Sequence, residues 1–312
     1  MKPHIIISGA ATLAVALLAV FSCGARRKAA TVRSVYYWST TFRLDSMEAD
    51  FLKRHDVKRM YVRFFDVVVD GEGRSVPNAT LRFDSSMPRG VDIVPTVFVM
   101  PECMNGDRRE LARNIVRRVG QMCSTNDVAG VGEIQIDCDW TLSTRKAYND
   151  FMGLMLKECH ARGLRLSSTI RLHQLAQTPP PADRGVLMMY NTGDVKSAKC
   201  RNPILDMADA APYMRHLDSY RLPLSVAYPM FSWRLLYRGG KVVGIVHYDG
   251  EYPSLAGDSI ALCQPAANDI ARAVRAVGSH RPDACGEIVL FDLSDANIRR
   301  FNTMNYEEIL DF

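Results

Sequence analysis

The sequence lacks the short motifs by which several large classes of protein are recognised. No C-x-x-C pair occurs among its eight cysteines, and none of its seven histidines stands four residues from another. Neither a structural zinc site nor a helical zinc-protease motif is therefore predicted. No G-x-G-x-x-G follows the first predicted strand and no G-x-S-x-G occurs, so neither a dinucleotide cofactor nor a serine nucleophile is expected. We expect no cofactor and no metal ion.

Clustered positive charge is also missing. The chain has 39 lysines and arginines against 34 acidic residues, a net charge of +5, but the basic residues are interleaved with carboxylates. Nucleic-acid binding usually needs a clustered basic face, so no nucleic-acid partner is expected. The chain does have the means to fold: 47% of its 312 residues are hydrophobic, enough for a large core.

The first thirty residues read as an export and anchoring segment. Lys2 and His4 precede an apolar run over residues 5–21, and the sequence VFSCG that ends at Gly24 resembles a bacterial lipobox in which Cys23 becomes lipidated. A run of about 17 apolar residues is marginal for crossing a bilayer, so a plain cleaved signal and an uncleaved anchor remain as alternatives.

These features set the predicted organisation of the chain. Residues 1–22 are predicted to be a lipoprotein signal peptide, residues 23–33 a linker and residues 34–312 a single folded domain. We expect a lipid anchor in the membrane of a bacterial cell envelope. Basic rather than acidic residues follow Cys23, which favours the periplasmic side.

The folded part alternates short β-rich runs with stretches of helical pattern. Eight such repeats in about 280 residues favour an α/β fold of the (β/α)₈ TIM-barrel type over an open doubly wound sheet. The helical patterns include residues 143–160, and residues 234–262 interrupt the alternation and are predicted to form an inserted hairpin. The predicted strands are residues 35–39, 59–68, 92–99, 133–139, 165–172, 185–190, 224–228 and 287–291.

The segment EIQIDCDWT, residues 133–141, places two aspartates at the end of the fourth predicted strand. Side chains alternate along a strand, so Gln135, Asp137 and Asp139 are expected to face the barrel interior, with Asp139 nearest the mouth. Carboxylates buried there are costly unless they are paired, hydrogen-bonded or catalytic.

A structural interpretation of the two aspartates stands beside the catalytic one. Asp139 would cap the next helix through Thr141 or Ser143, because strand-end aspartates are often caps. Asp137 would pair with a cation on a neighbouring strand, either Arg63 or Arg171.

Acidic and aromatic residues also stand at most of the other strand ends. Sugars bind to aromatic rings by stacking and to carboxylates through their hydroxyls, so the combination predicts a carbohydrate cleft with a glycan or oligosaccharide as partner. Asp66 joins Asp137 and Asp139 as a candidate catalytic carboxylate. The candidate substrate-binding residues are Tyr37, Trp38, Glu102, His173, Tyr190, Asn191, Tyr228, Trp233 and Asp292.

The segment IQIDCDWT resembles the fourth-strand motif D-x-x-D-x-D-x-E of family 18 glycoside hydrolases, the chitinase class. In that class the final glutamate protonates the glycosidic oxygen, and the aspartate two residues earlier orients the substrate acetamide. Here Thr141 stands at the glutamate position and Ile134 at the first aspartate position. SVAYPMFSW is similar to that family's tyrosine-bearing strand through Tyr228.

The chain also resembles an uncharacterised family of lipoproteins with a glycoside-hydrolase-like TIM barrel, through VYYWSTTF and YVRFFDV.

Three hypotheses follow from the residues and the resemblance. The first is a glycoside hydrolase in which Asp139 is the general acid and Asp137, Asp66, Glu102 or Asp292 is the second carboxylate. The second is a glycan-binding barrel that has lost its acid. The third is an envelope scaffold whose aromatic strand ends contact protein.

Overall fold

The computed structural model describes residues 31–197 and 200–311, and eight parallel strands form its centre. They pair in the order β1-β8-β7-β6-β5-β4-β3-β2, and β1 also pairs with β2, so the sheet closes into a (β/α)₈ barrel, as predicted. The strands are β1 (Val32–Tyr37), β2 (Arg59–Val69), β3 (Asp92–Val99), β4 (Glu133–Asp137), β5 (Arg165–Arg171), β6 (Arg184–Met188), β7 (Leu224–Pro229) and β8 (Glu287–Phe291).

All eight predicted strands coincide with barrel strands. Their ends differ by up to three residues, and the largest difference is at β1, which begins at Val32. Two apolar layers cover the two faces of the sheet: Tyr36 and Val289 belong to the inner one, whereas Ile134 and Ile136 pack outside against the helices. Because both faces of a parallel barrel are buried, apolar side chains stand on both faces of its strands.

Helices surround the barrel and begin where capping residues stand. Glu48 donates its backbone N–H to the Asp45 carboxylate at 2.8 Å while the Glu48 carboxylate accepts from Asp45 N–H at 3.0 Å, so Asp45 caps the first helix, which begins at Ser46. The helix predicted over residues 143–160 begins at Arg145. The helices are α1 (Ser46–Arg54), α2 (Arg108–Thr125), α3 (Arg145–His160), α4 (Met207–Met214), α5 (Ala267–His280), α6 (Asp295–Arg300) and α7 (Tyr306–Leu310), with 3₁₀ turns at Pro101–Asn105, Leu172–Ala176 and Pro282–Gly286.

An inserted antiparallel sheet lies between β7 and α5. Its first strand, Trp233–Arg238, pairs with Lys241–Ile245 on one side and with Asp258–Cys263 on the other. The predicted hairpin is therefore confirmed and extended by a third strand. Elsewhere Ser75–Asn78 pairs antiparallel with β2, and Thr41–Phe42 pairs with Arg82–Phe83.

A charged network fills the amino-terminal end of the barrel. Glu287 accepts hydrogen bonds from Ser225 at 2.7 Å and from Arg59 at 3.1 Å and is also paired with Arg184, which reaches Glu133 at 3.0 Å. Burial raises the pKa of Glu287, but the neighbouring arginine cations outweigh it and hold the pKa at about 2. This end of the barrel is closed by ion pairs, so the opposite end carries the candidate site.

Candidate functional site

The fourth strand directs its polar side chains into the barrel, as its alternation predicts. Gln135 Oε1 accepts a hydrogen bond from the Tyr36 hydroxyl at 2.7 Å in the interior. Asp137 Oδ1 accepts from the Thr169 hydroxyl of β5 at 2.6 Å. Asp139 lies two residues beyond Asp137 with 58% of its side chain exposed, so it stands at the carboxyl-terminal mouth of the barrel.

A single guanidinium joins the two aspartates. Arg171, the last residue of β5, donates from Nη2 to Asp137 Oδ1 at 3.0 Å and from Nε to Asp139 Oδ1 at 2.6 Å. Parallel pairing of β4 with β5 places the ends of both strands side by side, which makes this contact possible. We name Asp137, Asp139 and Arg171 the acidic pair and its arginine.

This arrangement tests the structural role that the sequence predicted for each aspartate. The predicted pairing of Asp137 with Arg171 is confirmed. The predicted capping role of Asp139 is wrong, because α3 begins after Thr144 and the Asp139 carboxylate is bound to Arg171 instead. Thr144 accepts the Thr141 N–H at 2.9 Å, so the turn before α3 is closed without Asp139.

Burial and charge oppose each other in this cluster. Burial raises the pKa of Asp137, and the Arg171 cation and the Thr169 hydroxyl offset only part of that rise. Burial lowers the pKa of Arg171, but the charges of Asp137, Tyr190 and Asp139 together with the hydrogen bond to Asp139 outweigh it, so the pKa of Arg171 is raised overall. The guanidinium therefore stays charged between the two carboxylates.

Asp66, the third predicted catalytic carboxylate, is held in a second arginine pair. Arg63 Nε donates to Asp66 Oδ1 at 2.8 Å and Arg63 Nη2 contacts the other oxygen, so the ion pair is bidentate. A bulge in β2 between Arg63 and Phe65 accompanies this pair. The Arg63 guanidinium also lies over the Trp38 ring, 5.4 Å from its centroid, which links the pair to the aromatic side chains of the mouth.

Five aromatic side chains, here named the ring cluster, line the other side of the mouth. Phe291 stands among them, with its ring centroid 5.0 Å from Tyr190, 5.6 Å from Trp38 and 5.9 Å from Phe231. Phe231 lies 5.8 Å from Trp233. Tyr190 is buried, whereas the other four rings are half-buried and so present part of their surface to solvent.

Tyr190 connects the ring cluster to the charged residues. Burial raises the pKa of its hydroxyl; Arg171 lowers it, whereas the charges of Asp137, Asp292 and Asp139 add to the rise. The phenol therefore lies within the electrostatic influence of all four groups. The predicted residues Trp38, Tyr190 and Trp233 are brought together here with two unpredicted rings, Phe231 and Phe291.

Two predicted substrate-binding tyrosines do not reach the mouth. Tyr37 packs in the outer layer, its ring 4.9 Å from Phe42, and its hydroxyl donates to the Thr41 carbonyl at 2.9 Å. Tyr228 is fully buried in the same outer layer. The structure thus corrects both positions, because the inward residue of β1 is Tyr36 and the inward residue of β7 is Ala227.

Three other predicted residues lie exposed in segments that follow barrel strands. Glu102 belongs to the 3₁₀ turn after β3 and His173 to the turn after β5, and Asn191 comes three residues after β6. Asn191 adopts a φ of 55°, a left-handed conformation that asparagine tolerates better than most residues. Contact of these three side chains with a ligand remains a prediction.

Asp292 follows β8 next to the ring cluster. Its Oδ1 accepts a hydrogen bond from Asn297 Nδ2 at 2.7 Å. Burial raises the pKa of Asp292 to about 6, and the hydrogen bond from Asn297 offsets only part of the rise. Near neutral pH a fraction of this carboxyl therefore keeps its proton, which distinguishes it from an ordinary exposed aspartate.

The residues after Asp139 turn away from the mouth. Trp140 is 1% exposed and stacks on Tyr148 of α3 with ring centroids 5.8 Å apart, in the outer layer. Thr141 is exposed and its hydroxyl lies 2.8 Å from that of Ser143. At the position where the resemblance predicts a glutamate, this chain therefore has a threonine, whose hydroxyl is hydrogen-bonded to that of Ser143.

Two properties complete the description of residues 31–197 and 200–311. This part of the chain holds no group of three or more His, Cys, Asp or Glu side chains arranged to bind a metal ion. It also contains no helix with the length and apolarity needed to cross a membrane. The predicted signal segment and the predicted lipidation site Cys23 lie outside the described residues.

Comparison with solved structures identifies the fold. A chitinase from Chromobacterium violaceum superposes with a TM-score of 0.57 at 13% identity, covering 88% of this chain and 100% of that one. The spore cortex-lytic enzyme SleL of Bacillus megaterium gives 0.56 at 10% identity over 86% and 72%, and the Group IV chitinase of Ostrinia furnacalis gives 0.55 at 11% over 90% and 97%. The chain therefore shares the TIM-barrel fold of these three proteins. No protein-family model matches the chain, and no curated sequence matches it significantly.

Several residues of the mouth were missed from the sequence. Arg171 was considered only as a partner for Asp137, yet it also binds Asp139. Phe291 ends β8 two residues after the inward-facing Val289, so alternation along that strand would have identified it. Phe231 follows β7 in an irregular segment, where no periodicity exists to indicate its direction.

Proposed function

We propose that the mouth of this barrel binds a glycan. The observation that carries the proposal is the position of the ring cluster beside the acidic pair and its arginine. Half-buried rings such as Trp38 and Phe231 offer flat apolar faces for sugar rings. Asp139 and Arg171 offer charged hydrogen-bonding groups for hydroxyls at the same opening.

The structures that share the fold support a carbohydrate as the class of ligand. Those compared above are named chitinases or a spore cortex-lytic enzyme, and one structure of the Ostrinia furnacalis Group IV chitinase, with a TM-score of 0.54, is a complex with allosamidin. Folds host many functions, so this support adds to the argument from the rings and charges and does not replace it.

We favour binding without hydrolysis. Glycoside hydrolases normally use two carboxyl groups roughly 5–9 Å apart, one of which delivers a proton to the glycosidic oxygen. Here Asp137 and Asp139 both accept hydrogen bonds from the same guanidinium, and Thr141 stands where the resemblance expects the acid. The acidic pair and its arginine thus form an ion-paired hydrogen-bonding surface for sugar hydroxyls.

One observation favours a second candidate, a glycoside hydrolase. The pKa of Asp292 is raised to about 6, and a carboxyl group with a raised pKa is what a general acid requires. In this alternative Asp292 donates the proton and Asp139 is the second carboxylate. The hydrogen bond from Asn297 is accepted by Asp292 Oδ1, so the proton to be donated would be carried by the other carboxyl oxygen.

The two candidates are separated by one pair of measurements on the full chain. Binding to a panel of glycans is measured by calorimetry, and turnover of the same glycans is measured by release of reducing ends. Binding without turnover supports the favoured function. Turnover that Asp139→Asn abolishes while binding persists supports the hydrolase. Absence of any glycan binding contradicts both and leaves the envelope scaffold.

For the location, we propose a lipid anchor at Cys23 in the periplasmic side of the bacterial cell envelope. The support is the apolar run over residues 5–21 followed by the lipobox-like VFSCG. The experiment is Cys23→Ser in cells that express the full chain. We expect loss of fatty-acid labelling, and unchanged labelling would contradict the anchor.

A further inference from the structure

Exposed apolar side chains concentrate in one region of the molecule. Eight large apolar side chains are exposed in the described part of the chain, and five of them lie within residues 243–262, in and around the inserted sheet. Scattered single exposed apolar residues are ordinary, but a concentration of this kind marks an interaction surface. The five are Val243, Tyr248, Leu255, Ile260 and Leu262.

The third strand of the inserted sheet, Asp258–Cys263, has a free edge. In the described residues it pairs only with Trp233–Arg238, and its other edge has no strand beside it. Residues 259–263 read SIALC, with neither a charge nor a proline. Proteins usually protect such edges with lysine, proline or a covering segment, so an unprotected one invites a further strand.

The side chains of this edge strand are apolar on one face. Ile260 is 53% exposed and Leu262 is 60% exposed, and strand alternation places both on the same side of the sheet. On the other face stands Ala261, also exposed. A partner strand would therefore cover two large apolar side chains on one face and meet the small side chains of Ser259, Ala261 and Cys263 on the other.

The charges around this strand are already neutralised within the sheet. Arg238 Nε donates to Asp258 Oδ1 at 2.8 Å, and Arg234 Nη2 donates to Asp249 Oδ1 at 2.7 Å. Two copies of this sheet brought edge to edge would therefore not place uncompensated like charges against each other. An acidic or basic partner would likewise find no complementary charge along the edge.

We propose that Asp258–Cys263 pairs antiparallel with the same strand of a second copy of this chain, about a twofold axis at Ala261. In this register Ile260 lies opposite the partner's Leu262, and Ser259 lies opposite the partner's Cys263. The apolar pair occurs twice, once on each side of the axis, because the strand sequence is self-complementary about Ala261. The two inserted sheets join into one continuous six-stranded sheet.

Self-complementarity is the reason for choosing a second copy over an unrelated peptide. A twofold interface needs the same patch to fit itself, and Ile260 and Leu262 are equally spaced on either side of Ala261. Opposed large apolar residues in neighbouring strands stabilise antiparallel pairing. The proposal does not depend on glycan binding, since neither Ile260 nor Leu262 belongs to the ring cluster.

The first test is cross-linking of the full chain with a short bifunctional maleimide. Residues opposite each other in antiparallel strands have Cα atoms roughly 4.5–5.5 Å apart, so Ala261→Cys places two thiols at the axis within reach of each other. We expect a covalent dimer well above the background of the unaltered chain. Val243→Cys, at an exposed position on the opposite edge strand, is the matched control and should remain at background. Equal yields from the two variants would overturn the proposal.

The second test is the sedimentation mass of the full chain in mild detergent. The unaltered chain should sediment as a dimer, and Ile260→Lys should halve the mass by placing two cations near the axis. Leu142→Lys introduces the same change at an exposed apolar position outside the inserted sheet and should leave the mass unchanged. A monomeric unaltered chain, or a dimer that survives Ile260→Lys, would show that this edge does not join two copies.

Discussion

Arg171 holds the carboxylate of Asp139 at 2.6 Å at the mouth of the barrel, where the sequence resemblance expects an aspartate that orients substrate. The same guanidinium reaches Asp137 at 3.0 Å one layer deeper. Two carboxylates that would otherwise repel each other are therefore stabilised by one cation. The mouth therefore has a charged hydrogen-bonding surface beside the ring cluster.

Replacing Arg171 with methionine should destabilise the protein. Methionine keeps an unbranched apolar side chain but leaves the buried Asp137 with only the Thr169 hydroxyl. Removing one partner of a buried ion pair typically costs about 3–5 kcal/mol, and Arg171 lies in such a pair. Urea denaturation measures the change in the free energy of unfolding.

The loss in Arg171→Met should also depend on pH. Without the cation the already raised pKa of Asp137 rises further. An acid with a raised pKa in the folded state stabilises the fold when it is protonated, so the loss should be smaller at pH 4 than at pH 8. Arg74→Met removes an exposed arginine paired with Asp70 and should cost about 1 kcal/mol or less. Equal losses in the two variants would contradict a buried pair at Arg171.

Asp292 should make the protein less stable as the pH rises. Its folded pKa is about 6 against an ordinary value of 3.8, so the folded state binds more protons than the unfolded state between these two values. The stability contributed by protonation is therefore present below pH 4 and is lost as the pH rises to 6. A difference of about two pKa units corresponds to roughly 3 kcal/mol at most.

The variant Asp292→Asn isolates this effect. Asparagine keeps an oxygen that accepts the hydrogen bond from Asn297 but cannot ionise. We expect the variant to match the unaltered protein at pH 4 and to be more stable at pH 7, as measured by urea denaturation at both values. Asp249→Asn removes an exposed carboxylate and controls for net charge. If the difference in the free energy of unfolding between the variant and the unaltered chain is the same at pH 7 as at pH 4, Asp292 ionises in the folded protein without a loss of stability.

Glu287 should have the opposite pH dependence. Its folded pKa of about 2 lies below the ordinary 4.5, because the cations of Arg184 and Arg59 outweigh the effect of burial. The stability that it contributes is therefore present above pH 4.5 and is lost as the pH falls towards 2.

Glu287→Gln tests this contribution. At pH 7 the variant leaves the Arg59 and Arg184 cations without one of their carboxylates and should lose about 3 kcal/mol or more. The loss should shrink as the pH falls below 4.5, which is read from urea denaturation across this range. Glu72→Gln changes an exposed glutamate and serves as the control. A loss that stays constant with pH would mean that packing, rather than charge, holds this end of the barrel.

The barrel fold could be predicted from the sequence because β-rich runs alternate with helical patterns along most of the folded part. All eight strands were located, and the inserted sheet appeared as the one stretch that broke the alternation. The start of α1 was also predictable, since Asp45 and Glu48 form a capping box visible in the sequence. Local signals of this kind need no knowledge of distant contacts.

The direction of individual side chains was harder to predict. In β4 the polar residues Gln135 and Asp137 fix which face is inward. In β1 two adjacent tyrosines stand on opposite faces, so residue type alone could not tell that Tyr36 rather than Tyr37 points inward. Arg171 shows a further limit. Its contacts with both Asp137 and Asp139 can be recognised only when the positions of β4 and β5 are known.

Trp38 provides the sharpest test of the glycan site. Its ring is half-buried between the Arg63 guanidinium and Phe291, so it contributes an accessible face to the ring cluster. Trp38→Ala removes that face and should weaken glycan binding about tenfold, the equivalent of one aromatic contact of about 1.4 kcal/mol. Calorimetry with the glycan that binds the unaltered chain measures the loss.

The neighbouring residue gives the matched control. Tyr37 belongs to the same strand but points into the outer layer, where its hydroxyl binds the Thr41 carbonyl. Tyr37→Phe should therefore lower the free energy of unfolding by about 1 kcal/mol and leave the glycan affinity unchanged. If Tyr37→Phe weakens binding as much as Trp38→Ala, the ligand does not lie in the mouth. Because the two residues differ by one position, the comparison tests the strand's orientation and the site's location together.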